Sequence, residues 1–137
     1  MFGAKAEIAL HEKGIPFELE MVPFDAQDRY EPKHPDVQAD EIFFPEVVRL
    51  FGLQDDMAGT AARPACDACA RHYEAMEAML GDRDFVAGGY SFADIALYMA
   101  QVFAERKGAR MTDSTPRLLA WRDRVSRRAV VQAVVRR

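Results

Sequence analysis

Residues 85–103, FVAGGYSFADIALYMAQVF, leave this chain few ways to fold. Gly88 and Gly89 read as a turn, because glycine visits positive φ at little cost. Ser91 then stands where a helix N-cap belongs, its hydroxyl within reach of the Asp94 backbone N–H. Asp94, three residues on, reaches back toward the Ser91 N–H, which makes a capping box with the shorter acid. Tyr90 and Ile95 hold the two positions of a hydrophobic staple. Behind this cap Ile95, Ala96, Leu97, Tyr98, Met99, Ala100, Val102 and Phe103 are apolar on nearly every side. A helix of that kind is buried, and this one is too short to cross a bilayer. Other helices must wrap it.

The remainder of the chain has the means to do so. At 137 residues, half of them hydrophobic, it is long enough for one core of ordinary globular composition. The net charge of −4 argues against general nucleic-acid affinity. Its distribution is uneven, since Arg117, Arg122, Arg124, Arg127, Arg128, Arg136 and Arg137 crowd the end. Their spacing around Trp121 and Val125 fits the solvated face of a terminal helix better than an anion or nucleic-acid patch. No apolar run reaches membrane-spanning length and no basic-then-apolar leader opens the chain, so a cytoplasmic protein is expected. Two cysteines do not make a secreted disulfide framework.

In chain order, Ala4 to Lys13 reads as a helix of good helix formers, stopped by Gly14 at the C′ position. Ile15-Pro16 forces extended backbone, and Phe17 to Val22 alternates apolar and acidic residues as a half-buried strand does. Residues 24–38, FDAQDRYEPKHPDVQ, are polar and proline-rich loop chemistry. Asp40 to Phe51 spaces Ile42, Phe43, Val47, Leu50 and Phe51 as a helix would. Pro45 inside it means either a kink or a start at Phe44 with the proline in the first turn. Ala62 to Leu80 is the clearest amphipathic helix, with Cys69, His72, Tyr73, Met76, Met79 and Leu80 in one stripe. After a polar connection from Lys107 to Ser114, Thr115-Pro116 opens a helix in the cap-then-proline order, carrying Leu118, Leu119, Trp121 and Val125. A last short helix holds Ala129, Val130, Val131 and Val134.

Three of these segments carry a resemblance. Gly88-x-x-Ser91-x-Ala93-Asp94-Ile95-Ala96 resembles the capping segment of the glutathione transferase C-terminal domain. The string KAEIALHEKGIPFELEMV at 5–22 is similar to the first helix and second strand of that family's thioredoxin-like domain. TPRLLAWRDRVSRRAVVQAV at 115–134 resembles its closing P-x-L-x-x-W-x-x-R-V segment. The resemblance implies a mostly α fold. Residues 1–37 would be a truncated thioredoxin-like remnant, and 38–137 a helical bundle of the C-terminal type.

The implied activity is conjugation of glutathione, as co-substrate, to small electrophiles, and the implied assembly is a homodimer. The parts of the family that handle glutathione are what this sequence does not show. The loop carrying a catalytic Ser, Tyr or Cys would precede Phe2-Gly3. Residues 24–38, which follow Pro23, hold no Val-Pro-x-Leu segment and no Glu-Ser or Asp-Ser pair. We therefore name no catalytic and no glutathione-binding residue. The alternative expectation is a non-catalytic relative used as an interaction or structural module, and a fragment of a longer parent would look the same.

Other candidate chemistry is weaker. Phe43, Phe44 and Val47 lie where the family builds part of its electrophile pocket, though core packing serves them equally well. Cys66-x-x-Cys69 with His72 has redox or metal-ligand residue types, but it lies inside an amphipathic helix rather than at a strand-to-helix loop. Core packing fits the cysteines better, and no metal is expected. His11, His34 and His72 have no Ser or Cys partner in a recognisable arrangement. Ser91 and Asp94 are assigned to the helix cap rather than to catalysis. The strand from Phe17 to Val22 has no evident partner here. It must fray, pair with a second copy, or mark missing sequence.

Overall fold

A computed structural model of the chain describes residues 2–19 and 43–135, apart from the side chains of Phe2 and Phe44. Six α-helices follow one another among them: α1 (Phe2–Glu12), α2 (Phe44–Val48), α3 (Arg63–Leu80), α4 (Phe92–Arg106), α5 (Pro116–Ser126) and α6 (Ala129–Val135). A single 3₁₀ turn, Gln54–Asp56, lies between α2 and α3. The fold is mostly α, as the periodicity requires.

The buried helix is α4, and α1, α2 and α5 pack against it. Asp94, Ile95, Tyr98, Met99, Gln101, Val102 and Ala104 are covered along it. In turn α3 packs against α2 and α5, while α6 closes against α1 and α5. Trp121 is the largest fully buried side chain and meets Tyr98 edge-on, with ring centroids 6.4 Å apart. Ile8, Val47, Leu50, Leu80, Leu118, Val125 and Val131 complete the core around that pair.

Helix ends follow local rules at some places and not at others. At the end of α1 the Ile15 N–H donates to the Leu10 carbonyl at 3.0 Å and the Gly14 N–H to that of His11 at 3.1 Å. This is a Schellman stop, and Gly14 takes its left-handed position at φ +63°. Pro45 stands within the first two residues of α2, where its missing N–H costs nothing, so the helix starts there without a kink. Residues 40–42 of that expected helix lie outside the described residues.

Two expectations need correction. The strand over Phe17–Val22 does not form over its described part: Phe17, Glu18 and Leu19 are irregular. Among the described residues no strand offers it a partner. The Phe17 ring instead turns back onto His11, with centroids 4.8 Å apart. Residues 20–22 lie outside the described residues. The second correction concerns α5, which Thr115 does not cap with its side chain. Its hydroxyl donates to the Thr112 carbonyl at 3.1 Å. The cap comes from α3, where the Glu77 carboxylate accepts the Arg117 N–H at 3.1 Å and the Leu118 N–H at 2.7 Å.

The basic end of the chain is spent on ion pairs. Arg117 meets Asp82, Arg122 meets Glu105, Arg124 meets Asp84, and Arg127 meets Asp123. Arg128 clasps Glu12 of α1 with two parallel bonds, Nε to Oε1 at 2.6 Å and Nη2 to Oε2 at 2.8 Å. Its guanidinium also lies over the Tyr90 ring, 3.6 Å from the centroid. Hydrogen bonding to Arg128 holds the Glu12 carboxyl below the ordinary glutamate value of 4.5, against the opposing pull of burial. A carboxyl lowered in the folded state stabilises above its unfolded pKa and loses that contribution as pH falls through its folded value. Replacing Glu12 with Gln should therefore cost about 1 kcal/mol near neutrality, since the pair is only partly covered. Melting of parent and variant should converge as pH drops below about 4.5. A gap that stays constant down to acid pH would refute the ionic origin of the contact.

Candidate functional site

The cap of α4 is the most densely bonded point in the described structure. Asp94 is fully buried, and its Oδ2 accepts the Ser91 N–H at 2.9 Å and the Ser91 hydroxyl at 3.0 Å. Its Oδ1 accepts the Val86 N–H and the Trp121 indole N–H, each at 2.9 Å. The capping box forms, yet the acid does more than cap. One carboxylate ties the loop before α4, the N-terminus of α4 and the centre of α5 together. A carboxylate with this many donors is committed to structure and has no lone pair oriented toward an open cleft.

The C-x-x-C pair is equally committed. Cys69 is buried in the α3 stripe, and burial pushes its thiol up to about 11, helped by the neighbouring Cys66. Burial, then the Asp67 charge, raises the Cys66 thiol as well. Thiols so shifted stay protonated near neutral pH and make poor nucleophiles. His72 packs edge-on against Phe43, with centroids 5.7 Å apart. No group of three His, Cys, Asp or Glu side chains that could hold a metal occurs among the described residues.

A site of different character opens on α4 itself. A helix apolar all round should be covered all round, but the described residues cover α4 incompletely. Ala93, Ala96, Leu97 and Ala100 recur at i, i+3, i+4 and i+7, so they share one face. Among the described residues that face is the wall of an apolar cleft of about 220 Å³. Met76 and Met79 of α3 line it as well, together with Phe43, Val86 and Lys5. The three alanines leave the room, while the two thioethers supply soft, adaptable contact.

The expected pocket residues divide at this cleft. Phe43 reaches its lining while remaining 95 % covered and packed on Tyr73, with ring centroids 5.5 Å apart. Val47 is fully buried in the core and forms no part of the lining. The Phe44 side chain lies outside the described residues. The lining from α3 and α4 was missed in the sequence. Its signal was there in the alanines at 93, 96 and 100, small residues on one face of a helix that is otherwise large and apolar.

A wider cleft of about 550 Å³ lies between the end of α1 and the start of α4, lined by Glu12, Lys13, Tyr90, Ser91, Phe92 and Arg128 among others. Its acid and its arginine already satisfy one another. The Tyr90 hydroxyl, pushed up to about 12 chiefly by burial and then by the Glu12 charge, remains protonated there.

No helix among the described residues is long and apolar enough to cross a membrane. A comparison with curated proteins gave no match. The model of the glutathione S-transferase C-terminal domain matches residues 42–129, well over half of the chain and the whole span from α2 to the start of α6. That span contains the buried helix, its Ser91–Asp94 cap, the indole that seals it and all of the apolar cleft's lining but Lys5, and the chain belongs to the glutathione S-transferase family.

Proposed function

We propose that this chain holds a small apolar electrophile in the cleft on the open face of α4, as the helical half of a glutathione-conjugating transferase. The observation that carries the reading is the face of α4, formed by Ala93, Ala96, Leu97 and Ala100, that the described residues leave lining a cleft. Leaving Ala93, Ala96, Leu97 and Ala100 in contact with water costs about 25 cal/mol for each Å² of apolar surface. A ligand that covers them recovers that cost. A cleft of about 220 Å³ is the size of one substituted ring. Phe43 and the Met76 and Met79 thioethers offer that ring soft, non-directional contact.

The protein's part in the reaction would then be to exclude water and orient the electrophile toward the glutathione sulfur. Glutathione itself is the co-substrate on this reading. Residues 1–37 belong to a thioredoxin-like part, the assembly is a homodimer, and the location is cytoplasmic. A second reading, a non-catalytic binding module, is favoured by one observation. Residues 24–38 offer neither a Val-Pro segment nor a Glu-Ser pair with which to hold the tripeptide.

Two titrations separate these readings. p-Chloronitrobenzene, a single-ring aryl halide, should shift the Ala96, Leu97 and Ala100 amide resonances, and unmoved resonances would remove the electrophile site. Glutathione calorimetry on the 137-residue chain should show no micromolar binding, because the oriented hydrogen bonds that hold a thiolate are not recognisable in it. Micromolar binding, or turnover of the aryl halide, would restore the full transferase activity to this chain.

A further inference from the structure

Among the described residues the sulfur atoms differ in exposure. Among the described methionines Met99 is buried, Met57, Met76 and Met111 are partly buried, and Met79 is 50 % exposed. Met79 is also the more exposed of the two thioethers that line the cleft on α4. Oxidation of methionine follows exposure, and it turns a flexible apolar side chain into a polar one. The ordinary competitors for a peroxide, cysteine thiolates, are suppressed because both thiols are held protonated by burial. Peroxide reaching the described surface therefore meets two protonated thiols, one buried and one partly covered, and an open thioether.

We infer that Met79 is an oxidation site at the mouth of the apolar cleft, and that its conversion to the sulfoxide by a hydroperoxide turns the cleft against uncharged apolar ligands. The second half of this inference rests on the ligand-binding reading of the cleft given above. In the chemical step a lone pair of the Met79 sulfur attacks one peroxide oxygen. The S–O bond forms as the O–O bond breaks, and the departing oxygen leaves as an alcohol or water after taking up a proton. Sulfur loses two electrons and the peroxide gains them. The product places a strong S–O dipole where the ligand would otherwise meet a polarisable, apolar surface. A ligand in the cleft must then desolvate that dipole, which weakens binding. Occupancy in turn shields the sulfur, so ligand and peroxide oppose each other at one atom.

The test uses the full chain and limiting hydrogen peroxide. Peptide mass spectrometry follows Met57, Met76, Met79, Met99, Met111, Cys66 and Cys69, and p-chloronitrobenzene is titrated before and after treatment. Met79 should gain oxygen first, and affinity for the probe should fall about five-fold. Methionine sulfoxide reductase should restore it. In Met79→Leu, whatever its own affinity, peroxide treatment should leave that affinity unchanged. Oxidation spread evenly over the methionines, cysteines oxidised ahead of Met79, or a Met79 sulfoxide with unaltered affinity would each overturn the inference. An untreated chain that fails to bind the probe would instead sink the ligand reading and the gating with it, while the order of oxidation still decides whether Met79 is the site.

Discussion

Replacing Asp94 with Ala is expected to cost about 3 kcal/mol or more, a large share of the stability of a domain this size. The loss comes from the donors left behind rather than from the acid removed. The N–H groups of Val86 and Ser91 and the Trp121 indole all point at Asp94, which is sealed from water. Each buried donor left without an acceptor carries its own desolvation penalty. Asparagine should rescue only part of the loss. Both carboxylate oxygens accept from N–H groups, so an amide NH₂ in either orientation meets a donor. Urea melts of the Ala and Asn variants measure this directly. An Ala variant that melts like the parent would mean the carboxylate is not the knot the geometry describes.

Trp121→Ala should be about as damaging, at about 4 kcal/mol, because it empties the largest fully buried position in the core. Trp121→Phe separates the two parts of that effect. It keeps most of the packing on Tyr98 and removes the indole N–H that reaches Asp94 Oδ1. A double-mutant cycle of Trp121→Phe with Asp94→Ala should show a coupling of about 1 kcal/mol or more, since the two side chains share one hydrogen bond. Strict additivity in that cycle would show that the indole is held by packing alone.

These two positions also show what a reading of the sequence reaches. The cap at Ser91 and Asp94 was legible because its partners lie three residues apart, and Gly14 was legible as a stop for the same reason. Pro45 was legible only as a choice between two starts, and tertiary structure made the choice. The bond from Trp121 to Asp94 spans 27 residues, and the clasp of Arg128 on Glu12 spans 116. No periodicity encodes such distances. The strand pattern at Phe17–Leu19 misled for a related reason, because alternation describes one face of a strand and says nothing of a partner. The candidate site was half visible. An apolar surface all round α4 demands cover, but it does not say which of its faces the other described helices will cover.

The capping of α5 by Glu77 has a consequence for how the chain is made. The acceptor precedes the donors by about forty residues, so on the ribosome α3 emerges before the segment whose N-terminus it will cap. With Thr115 contributing no side-chain cap of its own, α5 has little reason to hold a helix while it is still alone. It becomes helical on meeting a surface that is already built. Synthesis in this direction gives the end of the chain a finished template.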